Sequence, residues 1–151
     1  MSHSTITIGI DPDSKAHGAA VYRDGVLSEL GMMTLMDVMT SINSEENSTT
    51  PLLFSIEDVM ANQFVYARNQ HSSKAAQSTI AMRTGRCQQA QVELMRLLDC
   101  LQIDYELHKP TKNNWANNKP MFERATGWTK RSNEDTRSAA YFGYLALKWK
   151  S

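Results

Sequence analysis

The feature that most constrains this fold is a run of β-prone segments at the start of the chain. Isoleucine alternates with small or polar residues over residues 5–11, as in a strand that is buried on one face. The next two β-prone segments, residues 18–23 and 26–30, flank Asp24-Gly25, and such a pair is a strong signal for a hairpin turn. The sequence therefore predicts three consecutive strands, the last two of which form a hairpin.

Helical and strand patterns alternate along the remainder of the chain. The predicted elements are a helix at 35–42, a strand at 51–57, a helix at 73–101, a strand at 103–107 and a helix at 133–149. Residues 110–131 are rich in Pro, Asn and Lys and are expected to hold only short helical turns. The order β-β-β-α-β-α-β-α predicts a single α/β domain over residues 1–151.

Composition argues against membrane, secreted and zinc-binding classes of protein. No window approaches the length of apolar sequence that spans a bilayer, and the first residues lack the pattern of a secretory signal, so we expect a cytoplasmic protein with no membrane partner. Cys87 and Cys100 have no CxxC spacing and predict neither a disulfide framework nor a zinc site. We expect both to be buried, reduced thiols.

Charge is distributed unevenly along the chain. The totals are 16 basic and 16 acidic residues, and a net charge of zero would argue against a nucleic-acid partner. However, residues 1–61 hold nine acidic and two basic residues, whereas residues 62–151 hold fourteen basic and seven acidic residues. A basic half of this kind indicates a polyanionic partner, although a chance division of solvated charges would give the same count.

Two acidic residues stand where predicted strands end. Asp11 closes the first strand and Glu57 closes the fourth, and the alternation of side chains places each on the face opposite the apolar residues of its strand. Asp135, with Glu134 beside it as a weaker candidate, lies near the start of the last helix. Converging carboxylates are hard oxygen ligands that suit Mg²⁺ or Mn²⁺. Acids at strand ends and helix starts also serve as turn formers and N-caps, so both interpretations remain open.

Four motifs occur in an order that resembles a known family. They are IGIDPDS at 8–14, FSIEDV at 54–59, MRTGR at 82–86 within the long helix, and TGWTKRSNED at 126–135. This arrangement resembles the RuvC-type Holliday-junction resolvases of the RNase H-like superfamily, including their small phage-encoded relatives, over nearly the whole chain. The resemblance implies an RNase H-like α/β fold, with a five-stranded mixed sheet in the order 3-2-1-4-5 flanked by helices.

The same resemblance implies catalytic and metal-binding roles for three residues. Asp11 and Glu57 match the metal ligands of the first and fourth strands, and Asp135 matches a ligand of the last helix. The implied enzyme is a crossover junction endodeoxyribonuclease that uses Mg²⁺, or Mn²⁺ in its place, to cut four-way and other branched DNA by paired nicks. The family has a D-x-x-D pattern in the last helix, where this chain has Ser138 at the second position. One carboxylate is therefore missing, and Glu134 is a candidate to replace it.

The basic half and the segment after the fourth strand supply candidate DNA contacts. Aromatic side chains there could act as wedges at a branch point or pack in the core. The candidates are Lys15, Phe64, Tyr66, Arg68, Lys74, Arg83, Arg86, Lys109, Lys112, Lys130 and Arg131. For a further aromatic residue, Trp115, we expect core packing. A junction has two symmetric strands to cut, so we expect a homodimer in which the long helix forms the interface.

Two other interpretations remain open at this point. The missing acid is also consistent with a catalytically impaired protein that binds junctions without cutting them. The opening motif is shared with actin-like and sugar-kinase phosphate-binding domains. Those proteins need two such domains and a later Gly-rich loop, and 151 residues with seven glycines offer neither.

Overall fold

The computed structural model describes residues 5–44, 50–61 and 73–150, with side chains described as far as residue 147. The strands are β1 (Ile6–Asp11), β2 (His17–Arg23), β3 (Val26–Met33), β4 (Leu52–Glu57) and β5 (Asp104–His108). The helices are α1 (Leu35–Ser44), α2 (Lys74–Cys100), α3 (Lys119–Thr126) and α4 (Glu134–Lys150), and a 3₁₀ turn covers Val59–Ala61.

The strands form one mixed sheet in the order β3-β2-β1-β4-β5, as predicted. Strands β1, β2 and β3 pair antiparallel, whereas β4 pairs parallel with both β1 and β5. The predicted hairpin is present, and its turn residues Asp24 and Gly25 have φ angles of 53° and 82°. Strand β3 runs three residues beyond the predicted end at residue 30, because it pairs along the whole of β2 as far as the His17–Met33 pair.

Each face of the sheet has its own hydrophobic core. Helices α1 and α2 cover the face that carries the alternating isoleucines of β1 and the buried side chains Phe54 and Ile56 of β4. The opposite face packs mainly against α4. The predicted alternation of side chains between the two faces of β4 is confirmed. Ser55 donates a hydrogen bond of 2.6 Å to the Phe142 carbonyl of α4, on the face opposite Phe54.

Helix α4 lies unusually close to the sheet because glycines line the contact. A methyl group on Gly9 of β1 would lie 2.0 Å from the Ala139 carbonyl oxygen, and one on Gly18 of β2 would lie 2.3 Å from the Asp135 carbonyl oxygen. A methyl group on Gly143 of α4 would likewise lie 2.7 Å from a ring carbon of Tyr22. Contacts this short leave no room for a side chain, so the three glycines set how deeply α4 sits on the sheet.

Several details differ from the sequence prediction. The segment expected to hold only short turns contains α3, which Asn118 caps at its start and Gly127, at a φ of 74°, closes at its end. The expectation that both cysteines are buried is wrong. Cys87 is partly exposed, and Cys100 is exposed because it is the last residue of α2 and does not share the inward face of Leu94 and Leu98. None of the helices among the described residues is apolar enough over a sufficient length to cross a membrane.

Gly9→Ala is expected to lower the free energy of unfolding by more than about 3 kcal/mol, since the added carbon would meet backbone atoms that cannot rotate away. Gly85→Ala is the matched control, because Gly85 lies within α2 with open space around the position of a side chain. This control should gain about 0.5–1 kcal/mol. Urea denaturation measures both values, and a Gly9→Ala protein as stable as the wild type would contradict the close contact.

Candidate active site

The carboxyl ends of β1 and β4 meet at one edge of the sheet because these strands are parallel neighbours. This places Asp11 and Glu57 on the same side of that edge. Asp135 comes from the first turn of α4. Its backbone lies against Gly18, the residue paired with Asp11 in the sheet, so the close contact of α4 brings the third acid to the other two.

The three acids are partly buried and repel one another. Burial, followed by the charges of Glu57 and Asp135, raises the pKa of Asp11 to about 8. Burial and the charge of Asp135 also raise the pKa of Glu57, and burial raises that of Asp135. Among the described residues, no Lys or Arg side chain forms an ion pair with these acids. The site therefore carries negative potential that the described part of the chain does not neutralise.

Ser138 interacts with two members of this group. Its side chain is buried, and its hydroxyl donates a hydrogen bond of 3.4 Å to Oε2 of Glu57. Hydrogen bonding to this hydroxyl lowers the pKa of both Asp11 and Glu57, which partly opposes the effect of burial. The amide of Asn114 donates to the Ser138 oxygen at 3.4 Å. The residue that stands in place of an acid therefore links two of the three carboxylates.

These acids do not form a complete metal cage. Within residues 5–44, 50–61 and 73–150, no group of three or more His, Cys, Asp or Glu side chains is arranged to hold a metal ion. Glu134, the weaker candidate, is exposed, and its charge raises the pKa of Asp135. The structure thus brings Asp11, Glu57 and Asp135 within electrostatic reach of one another, while their oxygens do not converge on one point.

Two residues near the acids were missed by the sequence prediction. The charge of Asp13 raises the pKa values of both Asp11 and Asp135. Its position two residues after Asp11, in the same motif, was a signal that could have identified it. Cys87 lies on α2 near this loop, and burial and the charge of Asp13 raise the pKa of its thiol. Nothing in the sequence near Cys87 indicates this placement.

A buried glutamine holds the turn that follows Glu57. Gln91 of α2 is fully buried, and its Oε1 accepts a hydrogen bond of 2.8 Å from the backbone N–H of Val59. Its Nε2 donates to Oδ1 of Asp58 at 3.0 Å, while the Asp58 N–H donates to the His108 carbonyl at 2.8 Å. Helix α2 and strand β5 therefore fix the backbone immediately after Glu57, and so the direction in which this acid leaves β4.

The candidate DNA contacts fall into two groups. Phe64, Tyr66 and Arg68 lie outside the described residues. The others are exposed, and they are Lys15, Lys74, Arg83, Arg86, Lys109, Lys112, Lys130 and Arg131. Trp115 is buried and packs against Phe122, as expected for a core residue.

A cavity of about 650 Å³ lies at the opposite edge of the sheet. The amino ends of β1 and β4 form one wall, and Tyr144 and Leu147 of α4 form another. Its lining is mainly apolar, and among the described residues that line it only Asp104 is charged. Among the described residues, this cavity therefore has no basic side chain to pair with a phosphate and no cluster of carboxylates.

The raised pKa of Asp11 predicts how stability depends on pH when no divalent ion is bound. Between pH 3.8 and about pH 8 the folded protein keeps a proton that the unfolded chain releases, so stability falls as pH rises through this range. The substitution Asp11→Asn removes this loss of stability at high pH. Its melting temperature in EDTA is expected to exceed that of the wild type by at least about 5 °C near pH 8, and by much less near pH 4.

Asp104→Asn is the matched control, because Asp104 is an exposed acid of β5 at the other edge of the sheet. Its melting temperature in EDTA should stay close to that of the wild type. An Asp11→Asn protein that is less stable than the wild type near pH 8 would contradict the electrostatic description of the site.

Comparison with known proteins gives a match at the level of structure. No protein-family model matches the chain, and no curated protein matches it. The fold is similar to that of T. thermophilus RuvC, solved in complex with a Holliday junction substrate, with a TM-score of 0.56 and 12% sequence identity. The similarity covers 96% of this chain and 94% of that one. Together with the strand order and the flanking helices, it shows that this chain has the RuvC-like RNase H fold.

Proposed function

We propose that this protein is a divalent-metal-dependent endonuclease that cuts branched DNA, four-way junctions in preference, by paired nicks. The observation that carries the proposal is the meeting of Asp11, Glu57 and Asp135 from three separate elements. Burial raises the pKa values of all three, the charges of Glu57 and Asp135 add to the rise at Asp11, and none of the three has an ion pair to a described Lys or Arg. Uncompensated acids at the carboxyl edge of a sheet are costly for stability, which favours a functional role for them.

The donor chemistry fits Mg²⁺ even though no three-acid cage is present among the described residues. Mg²⁺ keeps several waters and usually takes one or two carboxylates together with phosphates of its substrate, rather than a complete set of protein ligands. In the proposal, Asp11 and Glu57 hold the ion, or Mn²⁺ in its place, and Asp135 approaches from α4. When bound, such ions lower the pKa of an attacking water and offset charge on the leaving oxygen.

The side chains around the acids keep them in position. Ser138 donates to Glu57, and Asn114 donates to Ser138, so the hydroxyl is held with its proton directed at the carboxylate. Gln91 holds the turn after Glu57 by accepting from the Val59 N–H and donating to the Asp58 carboxylate. These contacts limit the motion of Glu57 before a substrate arrives, which is a requirement for efficient catalysis by fixed groups.

The exposed cations suit a DNA substrate. All eight described candidates lie at exposed positions, where they can meet phosphates without first breaking a buried contact. The structure of T. thermophilus RuvC was solved with a Holliday junction substrate, and the shared fold makes branched DNA the first substrate to test. We further propose a homodimer, since two symmetric strands must be cut. The exposed Met82 on α2, 57% accessible, is consistent with an interface on that helix.

A second function is favoured by two observations and is kept as an alternative. Ser138 replaces an acid in the last helix, and no three-acid metal group exists among the described residues. Both are consistent with a protein that binds junctions without cutting them.

The direct test is cleavage of a labelled synthetic four-way junction in Mg²⁺ and in Mn²⁺, with a linear duplex of the same sequence for comparison. The wild type is expected to cut the junction, whereas Asp11→Asn and Glu57→Gln should be slower by at least about 1000-fold, because each loses a metal ligand. Glu29→Gln and Asp104→Asn, which change exposed acids outside the site, should cut at the wild-type rate.

The outcomes separate the two candidate functions. If the Asp11 and Glu57 variants cut as fast as the wild type, the proposed metal site is wrong. If the wild type binds the junction in Mn²⁺ and leaves it intact, the binding-only alternative is correct.

A further inference from the structure

A second concave surface lies beside the acids, in the segment between β5 and α3. We call it the amide pocket. It has a volume of about 500 Å³, and its wall consists of four asparagines, Lys112, Trp115 and Met121. None of the described residues in its wall is acidic. The volume is in the range typical of pockets that take small organic groups.

The pocket is built on a rigid loop. Two nitrogens of the Arg137 guanidinium donate to the Ala116 carbonyl at 3.1 and 2.9 Å. Oδ1 of Asn114 accepts from the Ala116 N–H at 3.1 Å, and Asn118 caps α3 by accepting from the Met121 N–H at 3.2 Å. The ring of Trp115 packs among aromatic rings of α3 and α4, which anchors the floor of the pocket. These contacts shape the pocket without any ligand.

The loop also connects the pocket to the candidate active site. Asn114 lines the pocket and donates to Ser138, which in turn donates to Glu57. Two hydrogen bonds therefore separate the wall of the pocket from a proposed metal ligand. The pocket and the candidate active site are therefore neighbours through Asn114 and Ser138.

Three polar side chains of the pocket remain available to a ligand. Asn113, Asn117 and Lys112 are exposed, and none of them forms a side-chain hydrogen bond to another residue in the described part of the chain. An asparagine amide has a donor and an acceptor side by side and can bind the edge of an adenine base at two points. A lysine adds a contact for a phosphate. Together they match one nucleotide.

We propose that the amide pocket binds an unpaired nucleotide of a DNA strand at the branch point, next to the candidate active site. A concave pocket can take a base only outside the helical stack, and the cost of removing a base is least where the base has no partner. The inference rests on the proposed function and deepens it. It makes the unpaired nucleotide, in addition to the charge of the backbone, a determinant of the preference for branched DNA.

The test compares the affinities of two junctions of the same sequence, one fully paired and one with unpaired adenines added at the branch point. Fluorescence anisotropy in EDTA measures binding without cleavage. The wild type is expected to bind the junction with unpaired adenines about tenfold more tightly, and a double variant, Asn113→Ala with Asn117→Ala, should lose this preference because two hydrogen-bonding groups are removed. Affinity for the fully paired junction should change little.

A second double variant, Asn43→Ala with Gln89→Ala, removes exposed amides from α1 and α2 and serves as the matched control. It should keep the wild-type preference. If the Asn113/Asn117 variant also keeps the preference, or if the wild type shows none, the pocket assignment is wrong while the proposed function stands. If the wild type binds no branched DNA, the proposed function itself fails. If free deoxyadenosine monophosphate binds more tightly than the junction with unpaired adenines, the pocket takes a free nucleotide and its assignment to a DNA strand is wrong.

Discussion

The candidate site depends on the close contact between helix α4 and the sheet. Gly9 and Gly18 have no side chain to separate their strands from the helix backbone, and Gly143 receives the ring of Tyr22. The hydrogen bonds from Ser55 and from Tyr22 to carbonyls of α4, both 2.6 Å, fix the helix further. Because these contacts set the depth and the rotation of α4 on the sheet, the first turn of this helix brings Asp135 to the acids that end β1 and β4.

The arrangement has a cost in stability that a metal ion would remove. Burial and mutual repulsion disfavour the ionised forms of Asp11 and Glu57, and no described Lys or Arg side chain pairs with them. The exposed basic residues identified from the sequence are available instead to a partner outside the protein. The zero net charge thus conceals an uneven arrangement, in which Asp11, Glu57 and Asp135 meet at one place while the eight described candidate cations are exposed.

The fold could be predicted largely because its signals are local. The isoleucine alternation of β1, the Asp24-Gly25 turn and the absence of proline from α2 each indicate an element from a few neighbouring residues. The prediction was weaker where stability comes from distant contacts. Helix α3 is short, and its one buried side chain, Phe122, belongs to the core under α4. The sequence pattern of α3 was therefore too short to distinguish a helix from isolated turns.

The candidate site was predictable only in part for the same reason. Asp11 and Glu57 could be found because strand ends are recognisable, and the resemblance to the RuvC-type resolvases implied that the first and fourth strands are neighbours, as they are. The contacts of Asn114 with Ser138, and of Ser138 with Glu57, span 24 and 81 residues along the chain, and no local pattern indicates them. The role of Gln91 is similarly hidden, because a glutamine on a long helix usually faces solvent, whereas this one is fully buried.

Anomalous X-ray diffraction from crystals soaked in Mn²⁺ would show whether the acids at this edge of the sheet bind the divalent metal ion that we propose. We expect an anomalous peak between the carboxylates of Asp11 and Glu57, within direct coordination distance of both. The peak should disappear in crystals of Asp11→Asn. Ordered carboxylates with no peak between them, or a peak that is unchanged in the variant, would mean that these acids do not bind the ion.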